Sequence, residues 1–191
     1  MTTLLVPDKT MEQDVLVQLA ADILRSCSSI YQTRQAAGIT PPTLQPGSTT
    51  AFWSDSSAEI TTARTTTLGQ LSRLTALLQG PYDFLSDFVA ANWDHGALYA
   101  VLQSQTLEIM SASGGCASLS TLSAQSEIPE DELLRMLPLL RCEDIVREPE
   151  NEIFALTAVS ELLIDDINFG AWVEFQYGIG ALAMLASSGL C

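Results

Sequence analysis

Asp94 and His95 stand next to each other in the stretch NWDHGAL, and both are of types that perform acid–base chemistry. An acid–base pair needs its two side chains to meet across a shared proton. Neighbouring residues on a helix do not face each other, which favours a capping or surface role for this histidine. We therefore assign no catalytic residue here.

Cysteine is the second residue type with chemical potential. Cys116 follows a Gly-Gly pair, where a turn can expose a thiol, but a nucleophile needs a base and the chain has one histidine. The others are Cys27, Cys142 and Cys191, and no two cysteines have C-x-x-C spacing, so no zinc site is predicted. We expect all four to be buried apolar side chains in a reduced, cytosolic protein.

Carboxylates cluster at residues 130–132 and at Asp165–Asp166. Such clusters can hold a metal ion, but solvated or helix-capping roles are the usual ones, because a helix N-terminus favours anions. We assign no metal ligand and no cofactor-binding residue to them.

Composition limits the function classes. The chain has 191 residues, 47% apolar and 16% charged, which predicts one folded domain or one domain plus an extension. Its 23 acidic and 8 basic residues give a formal charge of −15. Nucleic acids and anionic membranes both require clustered Lys and Arg, so neither is an expected direct partner.

The first predicted helix runs from Met11 to about Ala37, where apolar residues recur at helical spacing. Leu16, Leu19 and Ile23 belong to its apolar face, and Gly38 is placed to end it. This face is larger than isolated surface residues would explain, so we expect it to contact a partner.

A Pro-, Ser- and Thr-rich linker follows, and its Phe52 and Trp53 can anchor it onto a packed surface. The linker is either a loose tether or a strap across a partner. Helical spacing returns over residues 58–78 and ends at Gly80-Pro81. A short apolar helix comes next, and Asp94 is placed to cap a further helix through Ile109. The stretch SASGGCAS then predicts a flexible turn.

Residues 119–157 have the order helix, tight turn, helix, hairpin, which is the order of a winged helix. Ser118 or Ser120 can cap the first helix, Pro129 starts the second, and Thr157 caps another helix after the hairpin. Pro138 is expected to kink or shorten the second helix. The fold class predicted is mainly α, a winged helix with additional N- and C-terminal helices that form a dimerisation bundle.

The predicted winged helix has the wrong charge for reading DNA. Its second helix begins PEDELLRML, with three carboxylates where base contacts belong, and its wing, REPENE, has one Arg against three Glu. The element is better explained as a scaffold or a protein interface.

Several stretches taken together resemble the N-terminal domain of fungal, plant-type O-methyltransferases that depend on S-adenosylmethionine. The resemblance covers roughly residues 68–175 and rests on LLQGPYDFL, WDHGALYAVLQSQTLEIM, ASLSTLSAQSEIPEDELLRMLPLL, VREPENEIFALTAVSELLI and AWVEF. In that family the winged helix is a dimerisation module, and TAVSELL matches the family's T-x-x-S-x-x-L helix. The context that the resemblance implies is fungal polyketide biosynthesis.

The resemblance carries over no catalytic or cofactor-binding residue. The family's cofactor domain opens with a strand and a glycine-rich turn. YGIG at 177–180 is not that motif, because no β-branched strand precedes it. S-adenosylmethionine is expected only if a catalytic domain or a partner completes the site.

We therefore divide the chain into an N-terminal helix and linker (1–57), a methyltransferase-like winged helix (58–166) and an apolar C-terminal segment that stops before any cofactor domain (167–191). The predicted interface residues are Leu16, Leu19, Ile23, Trp53, Trp93, Trp172 and Phe175.

The predicted function is that of a non-catalytic module that forms a homodimer, or a heterodimer with a full-length homologue. One alternative is a nuclear coactivator of a zinc-cluster transcription factor in a secondary-metabolite gene cluster. Another is a truncated or repurposed family enzyme, such as a cyclase or pericyclase.

Overall fold

The computed structural model describes residues 9–48, 53–54, 56–173 and 175–176. The chain divides into two compact units. Unit 1 comprises residues 1–42 and 49–89, and unit 2 comprises residues 43–48 and 90–191. The chain therefore passes from one unit to the other three times.

Unit 1 contains helix α1 (Lys9–Ala36) and the first part of helix α2 (Ala58–Gln103), and the residues of α2 from Ala90 onward belong to unit 2. Helix α1 ends as predicted, because Gly38 adopts a left-handed φ of 72° and its N–H donates to the carbonyl of Gln35 at 2.9 Å. A kink at Gly80 (φ 72°, ψ 173°) interrupts α2 just before Pro81, so the predicted break at Gly80-Pro81 is confirmed.

A small cluster around Ile30 and Ile60 forms the core of unit 1, with Ile39, Trp53 and Ala63 against it. Polar contacts join the same elements. The hydroxyls of Ser26 and Thr67 lie 2.6 Å apart, and Arg34 donates to the carbonyl of Ser54 at 3.0 Å. Trp53 thus anchors its loop within unit 1, as its position in the sequence suggested.

The predicted helix from Asp94 to Ile109 is wrong at both ends. Asp94 lies inside α2, which continues to Gln103, and the break comes at Gln105, whose φ is 56°. Helix α3 (Thr106–Ala112) follows. An Asp caps a helix only where the chain enters from extended backbone, and here the preceding turns are already helical.

Unit 2 has the predicted order of a winged helix. A three-stranded antiparallel sheet, in the order β1-β3-β2, adjoins a helix–turn–helix. The elements after α3 are β1 (Cys116–Ser118), α4 (Leu119–Ser126), α5 (Glu130–Cys142), β2 (Val146–Glu150), β3 (Ile153–Leu156) and α6 (Ala158–Asp165). The predicted mainly α, winged-helix-like architecture is confirmed.

The stretch SASGGCAS is only partly a turn. Gly114 and Gly115 take φ values of 84° and 90°, which glycine adopts without steric cost, and they turn the chain into β1. Ala117 then pairs with Phe154 of β3. Three residues are too few to show an alternating pattern, so no strand was predicted there.

Pro138 neither ends nor shortens α5, which continues to Cys142. A helical proline removes the hydrogen bond to the carbonyl four residues earlier, here that of Leu134. Leu134 is 43% exposed, so this carbonyl lies on a side of the helix that water can reach. Pro149 is accommodated in the outer strand β2, where the register with β3 shifts between Arg147 and Glu150.

Unit 2 is built around a continuous apolar core. Leucines from both helices of the helix–turn–helix meet the inner face of the sheet and the end of α2. The fully buried members include Val101, Leu107, Met110, Leu122, Leu133, Leu137, Leu140 and Phe154. Each burial removes apolar surface from water, which is the main stabilising term in folding.

Side-chain caps fix where α4 and α6 begin. Ser118 accepts from the N–H of Thr121 at 3.2 Å and starts α4. Thr157 and Ser160 form a reciprocal capping box at the start of α6. The Thr157 hydroxyl also lies 2.8 Å from the carbonyl of Asp144, so the cap reaches the turn before β2.

Residues 43–48 lie against α6 and are called the strap below. The carbonyl of Leu44 accepts from the N–H of Ala158 at 3.1 Å, and the N–H of Gly47 donates to Glu161 at 2.6 Å. The strap thus supplies an acceptor to one backbone N–H in the first turn of α6, where helical partners are lacking, and a donor to the carboxylate of Glu161.

The chain is helical again over residues 167–173, where Asp166 accepts from the N–H of Phe169 at 3.0 Å. The predicted apolar helix continues into residues 177–191, which lie outside the described residues. Among the described residues, no helix combines the length and apolar character needed to cross a membrane.

Truncating the core of unit 2 tests this architecture. Leu137→Ala is expected to lower the free energy of unfolding by about 2–5 kcal/mol, because it leaves a cavity in a fully buried site. Leu134→Ala, on the same helix but 43% exposed, should cost less than about 1 kcal/mol. Urea unfolding followed by circular dichroism measures both variants, and equal losses would contradict the assigned core.

Candidate interaction surfaces

The N-terminus of α5 presents carboxylates to solvent. Glu130, Asp131 and Glu132 form its first turn and are all exposed. The helix starts at Pro129 without a side-chain cap, so these anions lie where the helix dipole favours negative charge. The exposed start of this helix repels phosphate.

Two of the three arginines of unit 2 make close contacts within the unit, and the third, Arg135, is in a loose exposed pair. Arg135 lies 3.8 Å from Asp131, Arg141 pairs with Glu148, and Arg147 donates to the carbonyl of Leu156 at 3.2 Å. Phosphate contacts supply most nucleic-acid affinity and need available cations. The wing and the second helix therefore lack the charge arrangement of a DNA-binding winged helix.

Asp94, His95 and Glu143 line a cavity of about 280 Å³ in unit 2. His95 is exposed, as expected for a surface histidine. Sequence reasoning did not connect Glu143 with this pair, because it follows α5, nearly fifty residues later in the chain. The cavity joins two carboxylates to an imidazole, a set that can accept hydrogen bonds from a cationic or polar group.

The cysteines depart from expectation. Cys27, Cys116 and Cys142 are all exposed free thiols, whereas burial was predicted, and Cys191 lies outside the described residues. Cys116 is in an edge strand and Cys142 ends α5, so neither position points into the core. Cys116 also lines a cavity of about 440 Å³ with Arg147 and Glu161.

One carboxylate of the two clusters has a structural role in the described part of the chain. Asp166 caps the helical residues that follow it, in agreement with the capping role expected for Asp165–Asp166. Among the residues that the structure describes, no three His, Cys, Asp or Glu side chains converge on a possible metal position.

The predicted interface residues of unit 1 are half-buried. Leu16, Leu19 and Ile23 lie along α1, and Trp53 packs beside Ile30 and Ile60. The Arg64 guanidinium lies over the Trp53 ring, 4.4 Å from its centroid. Trp53 therefore serves the fold of unit 1, and the interface role of the three α1 residues stays a prediction.

A more exposed apolar surface in unit 1 escaped the sequence prediction. Every residue from 81 to 90 is exposed, although this part of α2 is rich in apolar and aromatic side chains. Tyr82, Leu85 and Val89 recur at helical spacing on one side, with Phe88 beside them. We call these four residues the α2 stripe. A helical pattern was recognised there, but the pattern alone does not tell an inward face from an outward one.

The predicted interface residues of unit 2 are exposed aromatic side chains. Trp93 is 74% exposed, Trp172 53% and Phe175 61%. Phe169 stacks at a tilt on Trp172, with ring centroids 5.6 Å apart. Large exposed aromatics are common at protein interfaces, so their exposure fits the predicted role without testing it.

Comparison with known proteins gives one clear sequence relative. Over 167 residues, 87% of the chain, the sequence is 33% identical to O-methyltransferase phnC of Penicillium herquei. The match covers 39% of that enzyme, so the chain spans well under half of this curated relative. No protein-family model matches the chain.

Solved structures support the fold. A crystal structure of OxaC, and one of OxaC in complex with SAH and oxaline, match with TM-scores of 0.60 and 0.59 at 14% identity. Each match covers 80% of the chain and 33% of OxaC. The chain is thus similar in sequence to part of a fungal O-methyltransferase, as its motifs suggested, and similar in fold to part of OxaC.

Proposed function

We propose that this chain is an association module of fungal secondary metabolism that pairs with a second copy of itself or with a full-length homologue, and that it transfers no methyl group on its own. The observation that carries the proposal is the α2 stripe. Four large apolar side chains there stand in water on a helix whose residues 81–90 are all exposed.

Exposure of this kind is costly for a protein that stays alone. Tyr82 is 82% exposed and Phe88 73%, and contiguous apolar surface of this type marks association sites. Aromatic side chains also carry a large share of the binding energy at interfaces. A helix stripe can pack antiparallel against an identical stripe, which gives a two-fold symmetric contact.

The comparisons supply the biological context. The sequence relative is a fungal O-methyltransferase, and the structural relative OxaC was crystallised with SAH. A methyl-donor site of the doubly wound type needs parallel strands and a glycine-rich turn before a helix. The described sheet is antiparallel, and the Gly114-Gly115 turn leads into a strand. The described sheet and turn are therefore not those of such a site.

Disrupting the stripe tests the association. Phe88→Gln is expected to weaken self-association by about ten- to a hundred-fold, because it removes an aromatic side chain from the centre of the contact. Sedimentation velocity across micromolar concentrations measures the change. Leu134→Gln, which alters an exposed leucine of unit 2, is the matched control and should leave association unchanged.

A purified chain that stays monomeric up to high micromolar concentration would refute the homodimer. The heterodimer would then be tested by mixing the chain with a full-length homologue, and Phe88→Gln should prevent co-migration. If Phe88→Gln and Leu134→Gln weakened self-association equally, the α2 stripe would not be the association surface.

Calorimetry tests the non-catalytic part of the proposal. Titration of the chain with S-adenosylhomocysteine is expected to release no binding heat, and incubation with methyl-labelled S-adenosylmethionine and a phenol should yield no labelled product. A full-length homologue measured in parallel is the positive control. Methyl transfer by the purified chain would overturn this proposal.

A second candidate function is coactivation, and one observation favours it. The exposed start of α5 carries three carboxylates, while the arginines of unit 2 are engaged internally. This leaves an acidic winged-helix surface, which complements the basic surface of a zinc-cluster DNA-binding domain.

Salt dependence distinguishes coactivation from apolar pairing. Binding to a zinc-cluster DNA-binding domain should weaken several-fold as salt rises, because it depends on opposite charges. The triple variant Glu130→Gln, Asp131→Asn, Glu132→Gln should weaken it further and leave self-association unchanged. Binding that is insensitive to both changes would argue against the coactivator.

A further inference from the structure

Unit 1 contains an open cavity of about 380 Å³ that none of the functions above uses. Its volume is within the range of small-molecule sites, roughly 300–1,000 Å³. Residues from α1, from the start of α2 and from the loop between them line it. Those that matter below are Ile30, Tyr31, Trp53, Arg64, Leu68 and Leu71.

The walls of this cavity are mainly apolar, and the hydroxyl of the threonine among them is already hydrogen-bonded. Ile30 is buried beneath it, and Leu68 and Leu71 project from α2. Thr67 also lines the cavity, but its hydroxyl already donates to the carbonyl of Ala63 at 2.7 Å and contacts Ser26. Little of its hydrogen-bonding capacity remains, so these walls favour a flat hydrocarbon surface.

Arg64 places a positive charge at the wall of the cavity. Its guanidinium is held 4.4 Å from the centroid of the Trp53 ring. A guanidinium that lies over an aromatic ring keeps N–H groups able to donate to an anion. Within the described residues, no carboxylate forms an ion pair with Arg64, in contrast to Arg135 and Arg141 of unit 2.

We propose that the cavity binds a planar aromatic carboxylic acid. Its rings would lie against Trp53, Leu68 and Leu71, and its carboxylate would accept hydrogen bonds from Arg64. Tyr31, whose side chain also lines the cavity, adds a further aromatic surface. The site lies within one chain, and none of its residues belongs to the α2 stripe, so this inference does not depend on the proposed association.

The net negative charge of the chain makes a comparison between an aromatic acid and its neutral analogue a sensitive test of the proposal. A chain with a formal charge of −15 repels anions from most of its surface. A non-specific apolar patch should therefore bind a neutral aromatic compound better than the matching acid. A preference for the acid requires a local cation.

The experiment compares 2-naphthoate with 2-naphthamide, its neutral counterpart, by calorimetry on the full chain. Naphthoate should bind about three- to ten-fold more tightly, the range expected for an exposed ion pair with charge-assisted hydrogen bonds. Arg64→Gln should abolish this preference and leave naphthamide affinity unchanged. Arg73→Gln, an exposed arginine on the same helix that does not line the cavity, is the matched control and should retain it.

A variant that fills the cavity gives a test that does not depend on Arg64. Leu68→Trp should fill the cavity and weaken both compounds at least ten-fold, whereas Leu77→Trp, at an exposed leucine outside the cavity, should not. Phe88→Gln should leave naphthoate binding unchanged, which separates this proposal from the association. The proposal fails if the wild-type chain binds neither compound, if it prefers naphthamide, or if Arg64→Gln and Arg73→Gln act alike.

Discussion

Unit 2 depends on one constraint, the burial of leucines from two short helices against a sheet of only three strands. Helices α4 and α5 are 8 and 13 residues long, and such short helices are marginal in water by themselves. Leu122, Leu133, Leu137 and Leu140 become fully buried only when the helix–turn–helix and Phe154 of β3 come together. The caps at Ser118 and Thr157 and the turn at Gly114-Gly115 set the chain directions that make this burial possible.

The same constraint explains why a winged-helix fold can carry a negatively charged surface that repels DNA. Its fold is specified by inward-facing leucines, and its outward-facing residues are free to change. Here the outward residues at the start of α5 are carboxylates, and the arginines are held by neighbouring groups. The exposed apolar and aromatic side chains lie mainly on α2 and after α6.

Much of this architecture could be predicted from local chemistry. Gly38 and Gly80 adopt a left-handed backbone and Thr157 caps a helix, as their residue types predicted, because one or two residues decide such a turn or cap. The cap at Asp94, the shortening of α5 at Pro138 and the burial of Cys27, Cys116 and Cys142 were wrongly predicted for the opposite reason. Whether an Asp caps, a proline breaks or a thiol is buried depends on neighbours that only the fold supplies.

The candidate sites could likewise be predicted only where they depend on residues that are close together in the sequence. The acidic start of α5 is visible in the sequence, whereas Glu143 beside His95, or Arg64 over Trp53, unites residues that are distant in the chain. The α2 stripe was seen as a helical pattern, but its full exposure is a property of the folded chain.

The strap has a consequence for how this chain can be dissected. Residues 43–48 belong to unit 2, although the chain on both sides of them belongs to unit 1. A cut at residue 57, which the sequence suggests as a boundary, would remove the groups that contact Ala158 and Glu161 at the start of α6. The two units are interleaved along the polypeptide, so neither can be excised as one uninterrupted fragment.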